Sequence, residues 1–176
     1  GVEDFQRLAA AAKTVGIEND KLSDIFKDMN DRVGDFVQTG GGPMMDFFEN
    51  IGPLVGVTAD EFRNLSGPQA LQLYYDSLEK ANLSQEDMTF YMEAIASDST
   101  ALIPLLKDGG KAFKDLGDDA EEAGMVMSES TADNLSKAQI AIDNFKREAV
   151  IKVGELISGK ADFAAFKALG ARFGAL

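Results

Sequence analysis

The sequence predicts an all-α protein: a compact multi-helix bundle of about seven or eight short helices, then a long C-terminal helix and a short amphipathic helix. Three observations predict this. Apolar residues recur at three- and four-residue spacing along most of the chain. Helix start and stop signals arrive densely up to about residue 130. No alternation of apolar and polar residues is long enough to build a sheet, and no fixed-period repeat is present.

Residues 3–15 read as the first helix, with Gly16 as its C-terminal stop. In residues 20–37, Leu22, Ile25, Phe26, Met29, Val33 and Phe36 paint one apolar stripe. Thr58 to Glu61 has the capping-box form, in which hydroxyl and carboxylate each satisfy an orphan backbone N–H. Ser66 to Gln69 repeats it, with Pro68 in the first turn, where a missing N–H costs nothing. Leu71, Tyr74, Leu78 and Ala81 stripe the helix that follows. Ser84 caps a helix holding Met88, Tyr91, Met92 and Ile95. Short apolar pieces follow at Leu102–Leu106 and Ala112–Leu116.

The last third differs. From about Thr131 to Ser158 only Gly154 interrupts a helix of roughly 40 Å. Leu135, Ile142, Ala149 and Leu156 fall seven apart, with Ala138 and Phe145 at matching positions and Lys152 breaking the seam. Such a stripe needs cover and can pair with another chain. A Phe-rich amphipathic end follows, with Phe163, Phe166 and Phe173. The expected division is therefore an acidic helical bundle at 1–130 and a helical tail at 131–176. The chain starts at Gly rather than Met, and is expected to be an excerpt of a longer protein.

Composition excludes several chemistries. The net charge is −13. From Lys137 onward seven Lys/Arg face four Asp/Glu, a net +3, leaving −16 on the residues before it. Direct nucleic-acid binding is not expected from such a chain, because it needs cations to neutralise phosphates. With no Cys and no His, Cys/His zinc sites and Ser-His-Asp or Cys-His nucleophile pairs cannot be assembled within the chain. No metal, cofactor or catalytic residue is expected. "DMNDRVGD" from Asp28 looks superficially like a calcium loop, but Arg32 sits where an oxygen ligand belongs and the glycine falls one place late. The Gly170–Gly174 spacing says little outside an apolar 20-mer.

The stretch "TGGGPMMDFFENIGPLVG", residues 39–56, raises three readings. A phosphate loop needs G-x-x-x-x-G-K-[ST]; the lysine and hydroxyl are missing, and Asp46 and Glu49 would repel an anion. A membrane or partner contact would use Met44, Met45, Phe47, Phe48 and Ile51, although Asp46, Glu49 and Asn50 interrupt them and no Lys/Arg flanks them. In the preferred reading Gly40 to Gly42 end one helix, Pro43 starts the next, and the Met/Phe stripe packs into the core. Hinges are expected at Gly40, Gly41, Gly42, Gly52, Gly56, Gly109 and Gly110.

Longer strings go further. "KLSDIFKDMNDRVGDF", "TGGGPMMDFF", "VGVTADEFRNLSGPQALQLYYDSLEKANLSQEDMTFYMEAIASDSTALIPLL" and "LGDDAEEAGMVMS" resemble the tail length tape measure proteins of long-tailed phages and prophages, over residues 3–130. The resemblance implies a structural, non-enzymatic virion protein. Such proteins lie in the tail tube, set its length during assembly in the host cytoplasm, and leave through the tip at genome ejection. Implied partners are tail tube, tail tip and tail assembly proteins and further copies of the chain, often three, with membrane contact only during ejection. A membrane-active ejection segment is the alternative role. A cell-wall lytic domain is a second alternative, resting on Glu129-Ser130, which is similar to the Glu-Ser pair of soluble lytic transglycosylases; the downstream Gly-Leu-Met-Gln element is absent. Within the tape measure reading, short broken helices suit a folded module better than a measuring rod, and an acidic passenger would slip rather than stick in an acidic lumen.

Overall fold

Helices account for every regular element among residues 1–157, which are the residues that the computed structural model describes. In chain order they are α1 (Val2–Lys13), α2 (Asn19–Thr39), α3 (Gly52–Val55), α4 (Gly67–Lys80), α5 (Gln85–Ile95), α6 (Ile103–Glu122) and α7 (Glu129–Ile157). Single 3-10 turns occupy Ala59–Phe62 and Ser99–Leu102. The side chains of Glu129 and Ala132 and those of residues 152–157 lie outside the description. So do residues 158–176, with the expected Phe-rich helix (Phe163, Phe166, Phe173) and the Gly170–Gly174 spacing.

The contacts divide the chain into two units, Gly1–Val126 and a second beginning at Met127. In the first, α1 packs chiefly along α6, while α2 lies against α4 and also meets α1 and α5. One core joins them. Leu22, Ile25, Met29, Met44, Phe47, Leu71, Tyr74, Leu78, Met92, Ile95 and Leu102 have no solvent exposure at all. The α2 stripe is buried from Leu22 to Val33, and Phe36 packs half-buried at its end.

Local chemistry sets the element ends. The Ile17 N–H reaches back to the Ala12 carbonyl at 3.0 Å around Gly16, closing α1. Gly40, in the left-handed region, closes α2 with a 2.8 Å bond to Phe36. The Thr58 N–H donates to Glu61 at 2.7 Å, and the Ser66 N–H to Gln69 at 3.0 Å; at Ser66 the hydroxyl also accepts from the Gln69 N–H, whereas the Glu61 N–H bonds the Thr58 carbonyl instead of its hydroxyl. The Asp87 N–H donates to the Ser84 hydroxyl at 3.1 Å at the head of α5.

Two features break regularity. Residues Phe47–Ile51 form a π turn, in which the Gly52 N–H bonds the Phe47 carbonyl five residues back. α6 breaks at Lys107–Gly110, where Asp108, Gly109 and Gly110 all adopt positive φ (54°, 68° and 83°). The two apolar pieces expected on either side of this point are therefore two helical segments joined by a left-handed corner.

α7 is a helix of 29 residues and runs unbroken across the described part of the tail. Ile142, Phe145 and Ala149 are half-buried on the seven-residue seam, whereas Leu135, Ile140, Val150 and Ile151 are exposed.

Gly67, in the first turn of α4, sets how closely α4 approaches α2. A Cβ there would lie 2.6 Å from the Phe26 carbonyl oxygen and 2.7 Å from the Phe26 Cβ. Gly34, inside α2, faces open space. Two alanine substitutions should then act in opposite directions. Gly67→Ala is expected to destabilise by about 1–3 kcal/mol through overpacking. Gly34→Ala should stabilise by roughly 0.5–1 kcal/mol by removing backbone freedom from the unfolded chain. Urea unfolding midpoints of the two variants check the pair.

Candidate functional site

Two places in the first unit combine unusual backbone with clustered side chains. The first is the Met/Phe segment. Here the widened π turn carries Phe47 and Ile51 into the core, with Met44 ahead of them; all three are buried. The Phe47 ring lies 4.5 Å from Tyr74, 5.1 Å from Phe48 and 6.0 Å from Phe62. Phe48 is half-buried, stacked 4.4 Å from Phe36 and edge-on to Phe62 at 5.5 Å. Of the five apolar residues singled out in this segment, Met45 is the exposed one, at 39%. The Tyr74 hydroxyl donates to the Tyr91 carbonyl at 2.6 Å, and burial pushes its phenol pKa far upward. Tyr75 is pushed up to about 12, by burial first and then by Glu79.

The glycines around this cluster play different parts. Gly40, Gly42 and Gly56 take positive φ, while Gly41 lies between the first two. Gly52 is buried beside the Val57 carbonyl, where a Cβ would stand 2.6 Å from the oxygen.

The second place is the α6 corner. The break frees the Leu106 carbonyl, and the Gln72 side-chain amide takes it up at 2.8 Å while also donating to Asp76 at 2.8 Å. Gly110 presses on the same glutamine: a Cβ there would lie 2.6 Å from Gln72 Oε1. Below the corner α6 is tied to α1. Arg7 forms ion pairs with Asp118 and Glu121, and its stem crosses Gly117, with 3.1 Å between the Arg7 Cβ and the position a Cβ on Gly117 would take. Lys114 adds a 2.7 Å pair with Asp118. Between α1, α2, α4 and this corner lies a cavity of about 280 Å³. Its apolar lining comes from Leu8, Phe26, Leu71, Leu106 and Phe113, and its charged lining from Asp4, Arg7 and Lys114. This arrangement can hold an apolar group at the core edge beside a rim of paired charges.

The remaining sequence-derived sites fall in ordinary surroundings. Asp28–Asp35 lies within the continuous helix α2, not in a loop. Among the described residues no group of three or more His, Cys, Asp or Glu could hold a metal ion, and no helix is long and apolar enough to cross a membrane. Glu129 stands at the head of α7, with its side chain outside the description. Sequence reasoning did not find Gln72 or the Arg7 cluster, whose partners are up to 114 residues away.

No protein-family model, curated protein or solved structure matches this chain.

Two tests follow from the geometry. Phe47→Ala should cost about 3–5 kcal/mol, whereas Met45→Ala on the same segment should cost under ~1 kcal/mol, because only the first leaves a cavity. Thermal or urea unfolding of both variants decides this. The second concerns acid. The hydrogen bonds from Lys114 and then Arg7 hold Asp118 below the ordinary 3.8. The unfolded carboxylate protonates first, so the contribution is complete above the unfolded value and vanishes as pH falls through the lower folded one. Stability should drop on acidification below about pH 4, and Asp118→Asn should flatten that part of the pH–stability curve.

Proposed function

We propose that this chain is a structural module of a phage tail tape measure protein. It acts in tail assembly and length determination inside the tail tube, and it is released at genome ejection. The observation that carries this reading is the resemblance of the strings between residues 3 and 130, above all the continuous run from Val55 to Leu106. The role is non-enzymatic. Its partners are tail tube, tip and assembly proteins, and its place is the virion tail.

The fold supports a folded module rather than the measuring rod. As one helix, residues 1–126 would reach about 190 Å. Instead α1 to α6 double back at capped turns into a unit whose radius of gyration would be about 14 Å by size scaling. The charge of −13 supports passage through an acidic tube, because like charges disfavour adhesion. Met44, Phe47 and Ile51 are engaged in the core, so the ejection-segment reading lacks a ready apolar face there.

Quantitative mass spectrometry of purified tails from the phage or prophage encoding the chain tests the proposal. Peptides from residues 1–157 are expected at a few copies per tail, far below the tube subunit. Their absence from intact tails refutes it. In-frame removal of residues 1–126 from the parent gene should change tail length by much less than the ~190 Å of an equally long helix. Shortening by that full amount would make these residues part of the rod.

A further inference from the structure

α1 and the second segment of α6, residues 111–122, form a pair with its own ties. Arg7 reaches across it to Asp118 and Glu121, and its stem crosses Gly117. The other ion pairs of the two segments, Gly1–Asp4, Lys111–Asp115 and Lys114–Asp118, also stay within the pair. The chain joins this pair to α2–α5 at two corners. One is residues 14–18, turned by Gly16 at φ 82°. The other is Lys107–Gly110, with its three successive positive φ values. Both corners already leave the helical path, so the pair can move without breaking a helix.

The attachment of the pair to the rest is thin. Its buried residues are mostly small, namely Ala9, Ala11, Ala12, Gly117 and Ala120, with Phe113 the large one. By contrast α2 and α4 bury Leu22, Ile25, Met29, Leu71, Tyr74 and Leu78 completely. Few buried apolar contacts mark the regions of a protein that open first. The α6-corner cavity of about 280 Å³ lies along the seam, lined by Leu8 and Phe113 from the pair and by Phe26 and Leu71 from α2 and α4. Atoms facing that space have lost packing partners. A side-chain bond fastens the corner. Gln72 of α4, steadied by Asp76, holds the Leu106 carbonyl at 2.8 Å and sets its own oxygen against Gly110.

We infer that α1 and residues 111–122 are a two-helix flap that opens as one body, hinged at Gly16 and Lys107–Gly110 and latched by Gln72. Opening uncovers the cavity floor of Phe26, Leu71 and Leu106, while the core of α2, α4 and α5 around Phe47 stays folded. The ion pairs of Arg7 lie inside the flap and hold its two helices together through the motion. Nothing in this motion requires the tail role.

The experiment is native-state hydrogen exchange of the full 176-residue chain, read by NMR in urea below the unfolding transition. Ala9, Ala11 and Ala12 should share one opening equilibrium and one urea dependence with Gly117 and Ala120. That equilibrium should exceed the one governing the interiors of α2 and α4 at least ~100-fold. Gln72→Met keeps the length of the side chain but leaves the Leu106 carbonyl unpaired in the closed state, so flap opening should rise ~10-fold. Phe47→Leu weakens a core that is intact whether the flap is open or closed. It should speed exchange in α2 and α4 ~10-fold and leave flap opening unchanged. Because the chain has no Cys, Leu71→Cys supplies a single thiol on the cavity floor. Its labelling should outpace exchange of the α4 amides measured on the same variant. Separate urea dependences for α1 and residues 111–122 overturn the inference. So do a Phe47→Leu effect that is equal in the flap and in α2 and α4, flap opening indifferent to Gln72→Met, or thiol labelling no faster than α4 exchange.

Discussion

The ring of Phe47 is where distant parts of the first unit are fastened together. It touches Phe48 within its own segment, Phe62 in the following 3-10 turn and Tyr74 in the middle of α4. Tyr74 passes the connection on by bonding the Tyr91 carbonyl of α5, and Phe48 passes it to α2 by stacking on Phe36. The segment between α2 and α4 contains only the four-residue helix α3, the π turn and one 3-10 turn, none of which is stable alone. Aromatic burial holds this stretch in shape, and it accounts for Met44, Phe47, Phe48 and Ile51 as parts of the core or packed against it.

Charge works against this arrangement rather than for it. Most of the ion pairs are local ones on exposed helix faces, such as Lys27–Asp31 and Lys111–Asp115, where solvent screening leaves them little weight in stability. The long-range pairs are few among the described residues: Arg7 to Asp118 and Glu121, and Lys21 to Asp98. The apolar core must overcome a surplus of negative charge that favours expansion. Arg7 ties α1 to α6, and Lys21 ties α2 to the turn after α5, at surface positions where repulsion would otherwise begin to separate them.

What the sequence disclosed was governed by distance along the chain. The box at Ser66, the carboxylate half of the box at Thr58 and the cap at Ser84 involve groups three residues apart, and they form as their residue types imply. The α2 stripe was legible because helical periodicity alone decides it. Gly109 and Gly110 were visible as a break, but nothing nearby foretold that Asp108 would join them at positive φ or that Gln72 would receive the freed carbonyl. The role of Gly67 had no local signal, since its constraint comes from Phe26, forty-one residues earlier. The division of labour among Met44, Met45, Phe47 and Phe48 was illegible for a related reason. It depends on the π turn, and a wide turn is stabilised by what packs around it rather than by its own residues.

A π turn has poorer local geometry than an α turn and no nucleating advantage, so residues 47–51 have no reason to adopt it in an isolated chain. α2 carries its own stripe, and α4 its own cap and proline start. These two helices can meet first, through the close approach at Gly67, and so create the slot lined by Phe36 and Tyr74. Only then does the wide turn become the lowest-energy path for the intervening chain. The conformation of Phe47–Ile51 is accordingly conditional on the contact between α2 and α4, and nothing local would keep it if those helices parted.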